Sequence, residues 1–156
     1  MKKLIKLLES LTNKKVILED SVFKSRKLDE RLLPIKKELE KHMTIDESNK
    51  SIIIKNYLFY VDCLVLEKFY QGYSVDVNGN VELSNEKLEK LPNINFNKIN
   101  GNVDLACNRL TSLEHCPKEV SGYFNCTFNK NRFTKKDVLK VCNVNNEKIL
   151  TDSVQL

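Results

Sequence analysis

Residues able to do covalent or metal chemistry are few in this 156-residue chain, and their spacing does not fit such chemistry. There are two histidines, His42 among charged neighbours and His115 next to Cys116. A Cys–His pair works as a nucleophile only where the imidazole can take the thiol proton, and successive side chains usually point apart. The five cysteines, Cys63, Cys107, Cys116, Cys126 and Cys142, are odd in number and include no C-x-x-C pair. That argues against a zinc knuckle and against a disulfide framework, and favours free thiols in a reducing, cytoplasmic setting. The Asn125-Cys-Thr127 glycosylation sequon is then incidental. No phosphate loop or nucleophile elbow is present, and scattered carboxylates cannot be paired from sequence alone. The expectation is a non-enzymatic chain with no catalytic residue, no metal site and no cofactor.

Binding chemistry is better represented, in two groups. The first is an alternating strip: with Val81 and Leu83 turned inward, Asn80, Glu82 and Ser84 face out. The equivalent outward residues further on are Asn102, Asp104 and Ala106, then Tyr123, Asn125 and Thr127. Glu82 beside Asp104 sets like charges on neighbouring strands, which is unfavourable unless water screens them or a basic partner neutralises them. Tyr123 is the one rigid aromatic on this small polar strip and the best single contact residue. The expected partner-binding set is therefore Asn80, Glu82, Asn102, Asp104, Tyr123 and Asn125. The second group is the cluster Lys130, Arg132, Lys135, Lys136 and Lys140, which could meet phosphates or an acidic partner. Lacking aromatic interleaving and any nucleic-acid motif, it reads first as a solvated helix face.

What must position these residues is a repeat. Val77-Asn-Gly-Asn-Val-Glu-Leu returns as Ile99-Asn-Gly-Asn-Val-Asp-Leu and, more loosely, as Val120-Ser-Gly-Tyr-Phe-Asn-Cys. The glycines Gly79, Gly101 and Gly122 are 22 and 21 residues apart, a period characteristic of stacked units. Val81, Val103 and Phe124 align, as do Leu83, Leu105 and Cys126. Leu88 matches Leu110, Leu91 matches Leu113 and Ile94 matches Cys116. Each glycine is expected to supply positive φ at a corner. Asn108 and Asn129 follow the strands at matching places. They are either buried amides serving backbone groups left unpaired by the bend, or turn asparagines in an Asn-rich chain. The first unit departs here, with Glu86 at that place and Asn85 one residue earlier.

The segment Val103-Asp-Leu-Ala-Cys-Asn-Arg-Leu-Thr-Ser-Leu-Glu-His-Cys-Pro-Lys-Glu-Val resembles the short leucine-rich repeats of bacteriophage and bacterial proteins. Those repeats have the form F-x-C-x-x-N-x-L-T-S-L-x-G-C/A-P-x-x-V-G-G. The ending Asn131-Arg-Phe-Thr-Lys-Lys-Asp-Val-Leu-Lys-Val-Cys looks like the helical close that such phage proteins carry. The likeness covers about residues 73–150 and is strongest in the middle unit; His115 stands where the family often has Gly. It implies a solenoid used for binding, with no catalytic residues to carry over, and a virion or accessory role.

Around the repeat the chain divides into five parts. Residues 1–50 read as a helical cap or docking element. Leu4, Leu7, Leu8 and Leu11 form one amphipathic stripe, and Leu28, Leu32, Ile35, Leu39 and Met43 a second that Pro34 should kink or split. The first helix could cap the repeats, dock into a partner groove or lie on a membrane. Its interruption by Lys6 and Glu9 argues against reading it as a signal peptide. Residues 51–76 read as connecting strands, with a buried helix as the alternative, because a continuous apolar run does not separate the two. Residues 77–133 hold the repeats. Residues 134–150 form a helical cap, with Thr134 and Asp137 as a capping-box pair and Val138, Leu139, Val141 and Cys142 as its apolar side. Residues 151–156 are a tail expected to fray.

The fold class expected is thus α/β: a short leucine-rich-repeat-like solenoid sheet with N-terminal helices and a C-terminal capping helix. No apolar run approaches the ~20 residues of a membrane span. Of the net charge of +5, residues 1–50 carry +4, 77–119 carry −1 and 120–156 carry +3, so the repeats are near neutral and the ends basic. The functional expectation is a protein–protein interaction module, a phage accessory or virion-associated protein. The alternative is a basic nucleic-acid-binding accessory protein using the Lys/Arg clusters at the ends.

Overall fold

The computed structural model of the chain describes residues 23–152. The Leu4–Leu11 stripe and the last four residues of the tail lie outside them. Helix α1 (Phe23–Glu40) buries Leu32, Ile35 and Leu39 at helical spacing. It continues through Pro34 as one element, so of the expected kink or split the split is excluded. Pro34 is on the exposed side, where water can satisfy the carbonyl that a missing N–H leaves free.

The chain then leaves the helical state earlier than expected. Strands β1 (Met43–Asp46) and β2 (Ser51–Ile54) form an antiparallel hairpin, so Met43 sits on a strand. Asp46 closes the turn, accepting from the Ser48 amide at 3.0 Å, the Asn49 amide at 3.1 Å and the Asn49 side chain at 2.7 Å. Together with the Ser48 hydroxyl, these bonds hold its carboxyl down at about 2. Strand β3 (Leu58–Phe59) runs directly into helix α2 (Tyr60–Phe69), so the run expected as connecting strands is half helix. Cys63, Val65 and Leu66 are buried in it, and Asp62 accepts the Phe59 amide at 2.9 Å to start it.

The remaining strands are β4 (Ser74–Val77), β5 (Val81–Glu82), β6 (Asn95–Ile99), β7 (Val103–Asp104), β8 (Glu119–Val120) and β9 (Phe124–Asn125). Helix α3 (Lys135–Val141), a short 3-10 turn and β10 (Ile149–Leu150) follow. The strands make two five-stranded sheets. The first has the order β1-β2-β4-β6-β8 and the second β10-β9-β7-β5-β3; every pairing except β1–β2 is parallel.

The α/β class therefore fits, but the expected leucine-rich-repeat-like solenoid sheet is corrected. Two mostly parallel sheets form in place of one repeat sheet. The reason lies in the apolar positions before each glycine. Val75, Val77, Phe96, Ile99 and Val120 are buried and build a sheet of their own, in the same buried cluster as Val81, Val103 and Phe124. The period nevertheless fixes the pairing: Val81 lies beside Val103, and Val103 beside Phe124.

The glycines act differently from expectation. Among the described residues the only glycine with positive φ is Gly72, at 81°. Gly79, Gly101 and Gly122 are required by close approach. A Cβ on Gly101 would meet the Gly79 carbonyl oxygen at 2.3 Å, and one on Gly122 would meet that of Gly101 at 2.5 Å. Positive φ falls instead on non-glycine residues, among them Asn85, Cys107 and Phe128, again in register, shortly after β5, β7 and β9.

Asn108 is a buried amide, as one sequence reading had it. Its oxygen accepts the Glu86 and Leu88 amides at 3.1 and 3.0 Å. Its nitrogen donates to the Leu83 and Leu105 carbonyls at 2.7 and 3.0 Å. Asn129 repeats the arrangement toward Leu110, Leu105 and Cys126. At the far end Thr134 and Asp137 form the expected capping box, with Val138 and Cys142 buried. Leu139 and Val141 point to solvent, correcting their place in the apolar side, and β10 adds a strand where only helix was expected.

A candidate binding face on the second sheet

Alternation along strands only two residues long is enough to define this face, because the partners repeat it. Leu58, Val81, Val103, Phe124 and Ile149 are buried, so the next residue on each strand looks outward. Phe59, Glu82, Asp104, Asn125 and Leu150 thus form one continuous row across all five strands. Tyr57, Asn80, Asn102 and Tyr123 precede the same inward positions and flank it. Four apolar side chains on this face are largely in water: Tyr57 at 53 %, Tyr123 at 51 %, Phe59 at 49 % and Leu150 at 44 % exposure.

The six residues expected to bind a partner lie together here, but they are not equally free. The Asn80 side-chain oxygen accepts the Asn102 amide, and that of Asn102 accepts the Tyr123 amide, both at 2.9 Å. These two hold neighbouring strands in register. The Asp104 Oδ1 accepts the Ala106 amide at 3.0 Å, and the Asn125 Oδ1 accepts the Thr127 amide and hydroxyl. What remains for a ligand is the Glu82 carboxylate, the second oxygen of Asp104 and the Tyr123 ring. Partial burial, and next the charge of Asp104, push the Glu82 carboxyl up, against a hydrogen bond with Asn80 that lowers it.

Sequence reasoning missed Tyr57, Phe59 and Leu150. Phe59 could have been found, since Leu58-Phe59 stands 23 residues before Val81-Glu82, but that unit lacks the marker glycine. Leu150 carries no repeat signal, because α3 and the 3-10 turn intervene.

The basic group is not brought together at one place. Lys130, Arg132 and Lys140 line a cleft beside Phe133, and Lys140 is paired with Asp137 at 3.1 Å. Lys135 and Lys136 line a different depression next to Asn125 and Leu150, with the Lys135 ammonium donating to the Asn146 carbonyl at 3.0 Å.

Among the thiols, Cys107 is exposed, while burial pushes Cys126 and Cys142 up to about 12 and raises Cys63 and Cys116 well above the usual range. His42 lies on the connection between α1 and β1, far along the chain from His115, which occupies a left-handed turn at φ 67°. Among the described residues no three His, Cys, Asp or Glu side chains are grouped to hold a metal, and no helix is long and apolar enough to cross a membrane. Comparison with protein-family models, with curated proteins and with solved structures gives no match to the chain.

Proposed function

We propose that the chain is a non-enzymatic interaction module whose second-sheet face takes a basic segment of a protein partner. One observation carries this reading: two carboxylates sit in direct register, Glu82 beside Asp104, with Tyr57, Phe59 and Tyr123 around them. Like charges on adjacent strands weaken the free protein. A lysine or arginine placed between them removes that penalty, and the aromatic rings supply rigid contact area and cation–π partners. The likeness of residues 103–120 to repeats of bacteriophage proteins supports an accessory or virion-associated setting.

The test compares wild type with the triple variant E82Q/D104N/Y123A in pull-down from the native host of the protein, with unfolding curves measured in parallel. A partner retained by wild type and lost by the triple variant, at an unfolding midpoint no lower than that of wild type, supports the reading. Equal loss after changing Glu114 and Lys118, which lie elsewhere, overturns it. A particle-bound role is checked by mass spectrometry of purified virions, where many copies are expected.

A further inference from the structure

A second surface, sharing no residue with the sheet face, follows from the same register. Two residues after each of the left-handed positions in register, Asn85, Cys107 and Phe128, comes a cation: Lys87, Arg109 and Lys130, spaced by 22 and 21 residues. Backbone bonds join these return segments: the Arg109 amide donates to the Leu88 carbonyl at 2.8 Å and the Asn131 amide to the Leu110 carbonyl at 3.0 Å. Like charges are therefore held roughly one strand spacing apart, ~4.8 Å at the backbone. Lys36, Lys68 and Lys98 elsewhere have carboxylate partners, whereas Lys87, Lys90, Arg109 and Lys130 have none among the described residues. Lys90, Arg109 and Lys130 line one cleft together with Thr111, Phe128 and a single carboxylate, Glu89. Arg132 extends the basic wall beyond Lys130, beside Glu114.

Phe128 makes this cleft more than a charged patch. The residue is 71 % exposed, the most of any large apolar residue described, and its backbone is left-handed at φ 55°. That conformation is unfavourable for a bulky residue, and a ring in water gains nothing from burial. The backbone is nevertheless pinned, since the Phe128 amide donates to both oxygens of Asp152, at 2.9 and 2.8 Å. A flat hydrophobic ring is thus held out beside a row of uncompensated cations.

We infer that this cleft binds single-stranded nucleic acid, with phosphates along Lys90, Arg109 and Lys130 and an unpaired base stacked on Phe128. Cations that track a backbone and a ring that stacks on any base are the two components of sequence-tolerant single-strand binding. A duplex keeps its bases stacked internally and would leave the ring unused. An acidic peptide would use the cations and leave it unused as well.

The experiment measures binding of a fluorescein-labelled oligothymidylate to the full chain by anisotropy across a salt series. Neutralising three phosphates predicts a slope of log affinity on log salt of about −2, an affinity loss of about 20-fold between 50 and 200 mM salt. R109Q should flatten that slope by about 0.7. F128A should weaken binding about fivefold or more while leaving the slope unchanged. Both variants are checked for an unaltered unfolding midpoint. Four results overturn the inference: no binding at low salt, affinity for duplex equal to that for single strand, equal affinity for polyglutamate, or binding lost in K135Q/K136Q but kept in R109Q and F128A. The polyglutamate result would identify an acidic protein segment as the occupant instead.

Discussion

Asn108 uses both ends of its side-chain amide on backbone groups. The amides of Glu86 and Leu88 and the carbonyl of Leu83 meet it inside the protein, and it shares the Leu105 carbonyl with Asn129. Leaving a buried polar group unpaired costs about 1–3 kcal/mol. With neighbouring water able to reach some of them, N108A should lose about 3–4 kcal/mol in urea unfolding. N129A, at a less enclosed copy of the site, should lose less. The glycines give a second single-residue test, because two kinds of glycine occur. G72A adds a methyl group into open space and suffers only from positive φ, about 1 kcal/mol. G101A drives a Cβ to 2.3 Å from the backbone of the preceding repeat, which cannot yield without separating the strands. Its loss of stability should exceed that of G72A by at least about twofold, beyond the ordinary glycine-to-alanine effect. Equal losses would mean that φ alone decides, as the sequence reading assumed.

Elements differ in how visible they were. The strands β5, β7 and β9 were legible because a 22-residue period aligns Val81, Val103 and Phe124 whatever the turns do. Helix α3 was legible for a different reason: its start is written in two side chains, Thr134 and Asp137. The first sheet was not seen as a separate layer, because β6 and β8 lie in segments whose apolar residues also fit a simple lead-in to the next repeat. The β1–β2 hairpin was hidden by Met43, which continues the stripe of α1, and α2 by an apolar run that fits strand and helix alike. The acidic half of the candidate face was read from alternation alone; its aromatic half was not, since Phe59 and Leu150 precede and follow the recognisable repeats. The cap of α3 carries an element-level prediction. Hydrogen bonds from the Thr134 hydroxyl, then from its amide, hold the Asp137 carboxyl at about 2, below the ordinary 3.8. A carboxyl lowered on folding stabilises the folded state above its unfolded value and loses that contribution as pH falls through its folded value. D137N should therefore be less stable than wild type at pH 5. The two unfolding midpoints should converge as pH drops from about 4 toward 2. A constant difference across that range would separate the helix start from the charge of Asp137.

At the scale of the whole molecule the two sheets share one interior. Buried side chains run without a break from Leu32 on α1, through Val75, Val103 and Leu110, to Val138 and Ile149 near the other end. Parallel neighbours supply each other's backbone bonds, so removing one unit uncovers the apolar layer of the next. Such a core should open as one cooperative body, and its cysteines sample it at different depths. Cys63 is buried at the α2 end and Cys142 at the β8 end, while Cys107 is exposed midway. Burial keeps the enclosed thiols protonated, with Cys142 up at about 12, so alkylation at neutral pH requires opening. In native buffer iodoacetamide should label Cys107 promptly and leave Cys63 and Cys142 untouched. As urea rises, those two should become reactive together, with the same midpoint as the loss of circular dichroism. If Cys142 labels at distinctly lower urea than Cys63, the C-terminal units open on their own and the molecule is a set of weakly coupled layers. If they move together, the second-sheet face and the cation-lined cleft are presented by one rigid body, and changes at one surface can be read without unfolding the other.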